Sequence, residues 1–318
     1  MKKILLSGIQ PTGELHLGNY FGAIKQFVDM QDSHEEYICV VDLHALTTVQ
    51  NAAELRKNIF HVAAAYIACG LDPEKTVIFQ QSVIGGELCE LTWMFNCITT
   101  MPYLERAVAY KDKVANGKEA TVGLFDYPML MAADILMQDP DIVPVGADQK
   151  QHLEFARDTA EKFNRVWGSE EAPLFKMPEP VILESTGVVP GIDGRKMSKS
   201  YGNTIPLFAS DEQIDKLVMS IVTDSSGERP ENVYAMHKLF KTEAELAPLY
   251  EENTGKYKVL KEALAADIKA YVAPMRAKYL ELAAHPEIVE QALREGGEKA
   301  KRRAAQKMEA ISKAVGLK

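Results

Sequence analysis

Cysteine is scarce in this chain: Cys39, Cys69, Cys89 and Cys97 are scattered through 318 residues with no CxxC pair. That spacing argues against zinc or cluster ligation, so no resident metal is expected, and a chain this long needs no disulfide framework. The cysteines are expected to be reduced and mostly buried. Long apolar runs are missing too. Met1-Lys2-Lys3-Ile4-Leu5-Leu6 meets Ser7-Gly8 before it reaches the length of a signal-peptide core or a membrane span. A soluble cytoplasmic protein with no membrane association is the expectation. A basic excess is also lacking, since 36 Lys+Arg face 45 Asp+Glu for a net charge of −9. Coating nucleic acid through bulk charge is thereby excluded, while a local basic patch is not. No internal repeat or low-complexity tract occurs. With 47% hydrophobic and 25% charged residues, disorder and collagen-like structure are excluded.

What is present is alternation. Ile4 to Ile9 reads as a buried strand followed by a Gln-Pro-Thr-Gly turn, and Leu17, Tyr20, Phe21, Ile24, Phe27 and Val28 then recur at helical spacing. Tyr37 to Val41 and Thr76 to Phe79 read as further strands around a helix at Leu55 to Ile67, closed by Gly70 as a C-cap. Asp141 to Gly146 reads as a fourth strand, with Pro144 marking its end or an irregularity. Asp148 and Gln151 then form a capping box for a helix striped by Leu153, Ala156, Ala160 and Phe163. Strand and helix in alternation predict α/β: a Rossmann-like, doubly wound parallel sheet with ligands at the carboxyl ends of its strands. From about residue 206 only helical patterns remain, beginning with a Ser210/Gln213 capping box and the Ile214, Leu217, Val218, Ile221 stripe. The expected division is therefore 1–205, α/β, and 206–318, all-helical.

Two segments carry chemistry. Pro11 to Asn19 follows the first strand, with His16 and Asn19 three apart at a helix start and Gly18 between them offering close approach. A helix N-terminus there suits phosphate, although the same segment also reads as an ordinary turn with an incidental histidine. Lys196-Met197-Ser198-Lys199-Ser200 follows the glycine-rich Pro190 to Arg195. Two lysines at i and i+3 on a mobile loop suit a polyphosphate that gains charge during displacement; the bland reading is a solvated basic loop. Tyr127, Met131 and Asp134 fall at i, i+4 and i+7 on one helix face, which suits a mostly apolar pocket with one fixed acceptor.

At these segments the chain resembles the class I aminoacyl-tRNA synthetases. His16-Leu17-Gly18-Asn19 resembles their HIGH signature, ending in Asn19 rather than histidine, and residues 196–200 match their KMSKS signature unaltered. Ser7 to Gly13, Val41 to Ala45, Met131 to Leu136 and Val145 to His152 are similar to the bacterial tryptophan-specific branch. That resemblance implies ATP and Mg²⁺ as cofactors, L-tryptophan and tRNA(Trp) as partners, and a homodimer whose helical domain binds the anticodon. It implies that His16, Asn19, Lys196 and Lys199 are catalytic. On the ATP side it places Gln10, Pro11, Thr12, Gly18 and Asn19, then Gly146, Ala147 and Asp148 at the ribose, Val188 at adenine, and Lys196, Met197, Ser198, Lys199 and Ser200. It adds Lys113 as a third lysine near pyrophosphate, which as an isolated lysine reads equally as solvated. For tryptophan it implies Asp134 at the indole N–H, Tyr127 and Gln149 at the ammonium, Gln10 at the carboxylate, Met131 and His44 nearby. Leu6 stands where a phenylalanine often lines that pocket. His61 and His152 read as structural.

The competing readings are a tyrosyl-tRNA synthetase, a small-molecule nucleotidyltransferase, and a non-catalytic paralogue that binds amino acid or RNA. The last twenty residues hold seven Lys/Arg against Glu309 alone. Within them Lys299, Arg303 and Lys307 form an i, i+4, i+8 row, readable as an RNA-facing surface or as a solubilising helix face, while Ala304, Met308, Ile311 and Val315 turn to the body.

Overall fold

Five short apolar segments pair into a single parallel sheet in the computed structural model, which describes residues 2–115, 119–145, 150–169, 171–182, 189–223 and 229–318. The strands are β1 (Ile4–Ile9), β2 (Glu35–Val40), β3 (Val77–Gln80), β4 (Ile142–Val145) and β5 (Glu179–Ile182), in the order β3-β2-β1-β4-β5. β5, a Glu-Pro-Val-Ile edge strand, was not expected. Register follows burial: Ile4 pairs with Glu35, Ile9 with Val40, and Ile38 with Ile78. The order reverses between β1 and β4, which meet only at Leu5 and Ile142. Pro144 has no N–H to carry the ladder further, so the sheet parts there, inside β4 rather than at its end. Such a gap is where open α/β sheets take their ligands.

The first crossover begins as a turn of helix at Leu17–Asn19, widens into a π-helical turn at Tyr20–Ile24 and resumes at Lys25–Met30. The helices Ala52–Ala68, Gly85–Ile98, Val122–Met137 and Lys150–Trp167 complete the layers around the sheet. Residues 146–149, including the expected cap at Asp148, lie outside the described residues. Gly70 does close the Ala52–Ala68 helix, at φ +111°.

Past residue 205, helices at Asp211–Met219, Glu231–His237, Glu243–Glu252, Tyr257–Ala284 and Pro286–Val315 follow with no further strand among the described residues. The Ser210/Gln213 capping box forms as read. One core runs from Leu5 and Ile38 through Leu17 and Ile24 to Ile205, Ile214 and Ile268. The last helix returns to the sheet: Ala304, Met308 and Ile311 are buried beside Phe79 and Leu136 and Val315 is half-buried, as that stripe predicts, and Ala300 joins them. It lies so near β3 that a Cβ on Gly296 would collide with the Ile78 carbonyl oxygen. A helix over the outer edge of β3 also shields it from pairing with another chain.

Two expectations need correction. Cys39 and Cys69 are buried, but Cys89 and Cys97 are exposed on the Gly85–Ile98 helix. In the basic row, Arg303 donates through Nε to the Gln138 carbonyl (2.7 Å) and Lys307 donates to Asp139 (2.9 Å). These two close the C-terminal end of the Val122–Met137 helix and face the body, so of the row Lys299 alone stays fully exposed. Unpaired carbonyls at a helix end attract cations. Lys299, Lys301 and Arg302 remain exposed.

Candidate active site

The sheet's carboxyl edge builds the site. After β1 the chain turns at Gln10–Gly13 and re-enters at Leu15, where the first signature pairs with the segment behind the second. Leu17 N–H donates to the Ile205 carbonyl (3.0 Å), and Leu207 N–H donates to that of Leu15 (2.9 Å). Gly18 N–H donates to the Met197 sulfur at 3.3 Å. A Cβ on Gly18 would press on the His16 ring at 2.9 Å, so glycine lets the imidazole fold over the helix start. Asn19 spends its carbonyl oxygen on the His16 N–H (3.1 Å), which leaves its amide N–H₂ to donate. Lys199 reaches the same turn, with Nζ donating to the Thr12 carbonyl at 3.3 Å. The two signatures, 180 residues apart in sequence, thus form one cluster.

Electrostatics follow from that proximity. Burial, reinforced by the Lys199 charge, lowers the His16 pKa to about 4, so its imidazole is neutral near pH 7. Its Nδ1 is buried without a partner among the described residues. Protein packed around the Lys199 ammonium lowers its pKa, with Glu14 pulling the other way. His61 supports the turn from behind. Leu15 N–H donates to its Nε2 (3.2 Å), so its Nδ1 carries the proton and donates to the Tyr279 hydroxyl (2.8 Å). Burial first, then Lys199 and Lys57, lowers its pKa to about 4, consistent with a structural imidazole.

Sequence reading missed the residue that shapes the second loop. Asn203 accepts from Ser198 N–H (2.8 Å) and donates to both Asp193 (2.7 Å) and the Lys196 carbonyl (3.1 Å). Gly191 has no room for a Cβ, which would sit 2.3 Å from the Asn203 side chain.

Beside this cluster a cavity of about 510 Å³ opens between β1 and β4. Gln10, His44, Tyr127, Met131 and Asp134 line it, together with Leu6, Gly8, Val143 and Pro144, so the i, i+4, i+7 face points inward as its spacing predicts. Its size suits one small-molecule side chain in a largely apolar setting. Asp134 is the one carboxylate among the described residues that line it. Gln81 Nε2 donates to both of its oxygens (2.8 and 2.7 Å), and His44 Nε2 lies 2.9 Å from Oδ2. Gln81, fully buried just past β3, is the second residue sequence reading missed. His152, read as structural, instead lines the cavity wall, with Nε2 3.3 Å from the Tyr127 hydroxyl. Gly146, Ala147, Asp148, Gln149 and Val188, and the side chain of Lys113 on the Val108–Ala115 helix, lie outside the described residues.

A parallel sheet with its crevice at the switch point, and an early histidine turn met by a late lysine loop, has the architecture of a nucleotide-binding α/β protein. Comparison with known proteins agrees. The tRNA synthetases class I (W and Y) match residues 2–290. The tryptophan–tRNA ligase of Fusobacterium nucleatum is 46% identical over 98% of this chain and 97% of its own, and that of Campylobacter jejuni is 44% identical over 98% and 99%. The crystal structure of the Campylobacter jejuni tryptophanyl-tRNA synthetase, complexed with ADP and tryptophan, superposes with a TM-score of 0.90 at 43% identity, over 98% of this chain and 99% of that one. The chain belongs to the tryptophan and tyrosine family of class I tRNA synthetases.

Proposed function

We propose that this chain is a tryptophan–tRNA ligase, which activates L-tryptophan with ATP and transfers it to the 3′-terminal adenosine of tRNA(Trp). The observation that carries this reading is Asp134: a carboxylate, doubly held, the one acid among the described residues that line a largely apolar cavity beside the two signatures. An indole N–H satisfies it. Phenylalanine would leave it unpaired, at a cost in binding. Tyrosine also brings a donor, so cavity shape must reject it.

In the first step a tryptophan carboxylate oxygen attacks the α-phosphorus in line. The bond to the bridging oxygen breaks, and pyrophosphate leaves with the developing charge. Positioning and charge stabilisation are the protein's contribution. His16 and Asn19 meet the phosphates, and Lys196 and Lys199 neutralise the leaving group as the 190–203 loop closes. In the second step the 2′-hydroxyl of the terminal adenosine attacks the acyl carbon and AMP leaves. Among the described residues no cluster of three or more His, Cys, Asp or Glu is placed to hold a metal. Mg²⁺ bound with ATP would supply charge neutralisation to the phosphates beside Lys196 and Lys199. Gln10, Pro11, Thr12, Gly18, Gly146, Ala147, Asp148, Val188 and Lys113 keep their ATP-side assignments, and Tyr127, Gln149, Met131 and His44 theirs around tryptophan.

We further assign 206–318 to anticodon recognition and place the enzyme in the cytoplasm, where tRNA is charged; no helix among the described residues is long and apolar enough to cross a membrane. A homodimer is supported by the exposed row of Cys89, Trp93 and Cys97 on the Gly85–Ile98 helix, continued by Met101, with Trp93 70% exposed.

ATP–pyrophosphate exchange across all twenty amino acids tests the reading, with tryptophan alone expected to support it. Lys199→Ala should cut adenylate formation at least a hundredfold and leave tryptophan binding within a few-fold. Equal losses in both would contradict its role.

A further inference from the structure

We infer that Gln81 is the specificity-positioning residue of the amino-acid pocket: it fixes Asp134 so that one carboxylate oxygen, Oδ1, is left to receive the indole N–H. The inference rests on the tryptophan reading above and deepens it. Gln81 is wholly enclosed, and its amide cannot be reversed. Its Oε1 accepts the Leu43 N–H at 2.9 Å and the His44 N–H at 3.4 Å, so its Nε2 must face Asp134, where it donates to Oδ1 at 2.8 Å and Oδ2 at 2.7 Å. His44 adds a second contact on Oδ2 alone, at 2.9 Å.

A carboxylate oxygen accepts about two hydrogen bonds. Oδ2 therefore has both places taken, and Oδ1 has one free. The remaining acceptor site belongs to one oxygen at one orientation. The clamp spans three elements, because Gln81 follows β3, Leu43 and His44 follow β2, and Asp134 lies on the Val122–Met137 helix. A ligand N–H placed by the cavity walls then meets a carboxylate that cannot turn to suit another donor. A free carboxylate would swing toward a phenol hydroxyl or a water and would discriminate less.

Two substitutions separate this role from mere support of the turn. Gln81→Glu keeps an acceptor for the Leu43 and His44 N–H groups but sets a carboxylate against Asp134; Gln81→Met removes both functions at similar volume. Each is assayed by pyrophosphate exchange with tryptophan and with its benzothiophene isostere, in which sulfur replaces the indole N–H, alongside a thermal melt. For both variants we expect the tryptophan KM to rise about tenfold or more with kcat within about threefold. The preference for tryptophan over the isostere should fall by a similar factor. An unchanged preference in Gln81→Glu would overturn the inference, as would a loss confined to kcat. If the parent enzyme itself fails to use tryptophan, the functional reading fails instead. Should Gln81→Met not fold, Gln81→Glu alone decides.

Discussion

Glu36 is fully enclosed in β2, and only one of its oxygens has a partner, the Thr76 hydroxyl at 3.1 Å. Burial pushes its pKa up to about 8, against weaker opposing pulls from Thr76 and Lys2. The unfolded chain ionises this carboxyl near the usual value, whereas the folded chain keeps it protonated until about pH 8. Stability should therefore fall as pH rises through that window, by on the order of 1.4 kcal/mol per unit, and level off above it. Glu36→Gln removes the dependence. Its melting temperature should exceed the parent's at pH 8, with the gap shrinking toward pH 5; a gap that stays constant with pH would show that the carboxyl is already ionised when folded. Legibility in the sequence also divides at this scale. His16 and Lys199 were readable because each sits in a short string whose local structure and charge already imply phosphate. Gln81 and Asn203 were not, since a neutral amide acquires its role only from partners brought up by other elements.

Among elements, the last helix depends most on one small residue. Gly296 presses its backbone onto β3, leaving 1.9 Å between the place of a Cβ and the Ile78 carbonyl oxygen. Gly296→Ala must push the helix away from the sheet, even though alanine favours helix by up to about 1 kcal/mol. We expect a net loss of about 2 kcal/mol or more in denaturant unfolding. A neutral or stabilising result would mean that the helix can retreat from the edge at no cost. Its seat was partly visible in advance: the Ala304, Met308, Ile311 stripe announced a buried face. The inward turn of Arg303 and Lys307 was hidden, because the carbonyl and carboxylate they meet belong to Gln138 and Asp139, far away in sequence. β5 was missed for a local reason. Four residues containing a charge and a proline give too short a pattern to register as a strand.

At the scale of the molecule, two surfaces face different demands. Exposed Trp93 lies on the Gly85–Ile98 helix, whose other side is packed into the core through Leu88, Leu91 and Phe95, and exposed Met101 follows just beyond its end. If that exposed side joins two copies, Trp93→Glu should convert a dimer to a monomer in light scattering while the isolated fold keeps its melting temperature within a few degrees. A parent protein that is already monomeric would remove the premise.

The pairing of Leu15 and Leu17 with Leu207 and Ile205 has a mechanical meaning. The histidine turn and the root of the lysine loop are stitched into one short ribbon, so the loop, in any movement, is anchored on the segment that carries His16. Its swing is confined to the stretch before residue 205. Any longer excursion must either unpick main-chain bonds or drag the early turn along with it. If the two signatures hold the nucleotide as proposed, their grip on its two ends is geared together instead of being set twice.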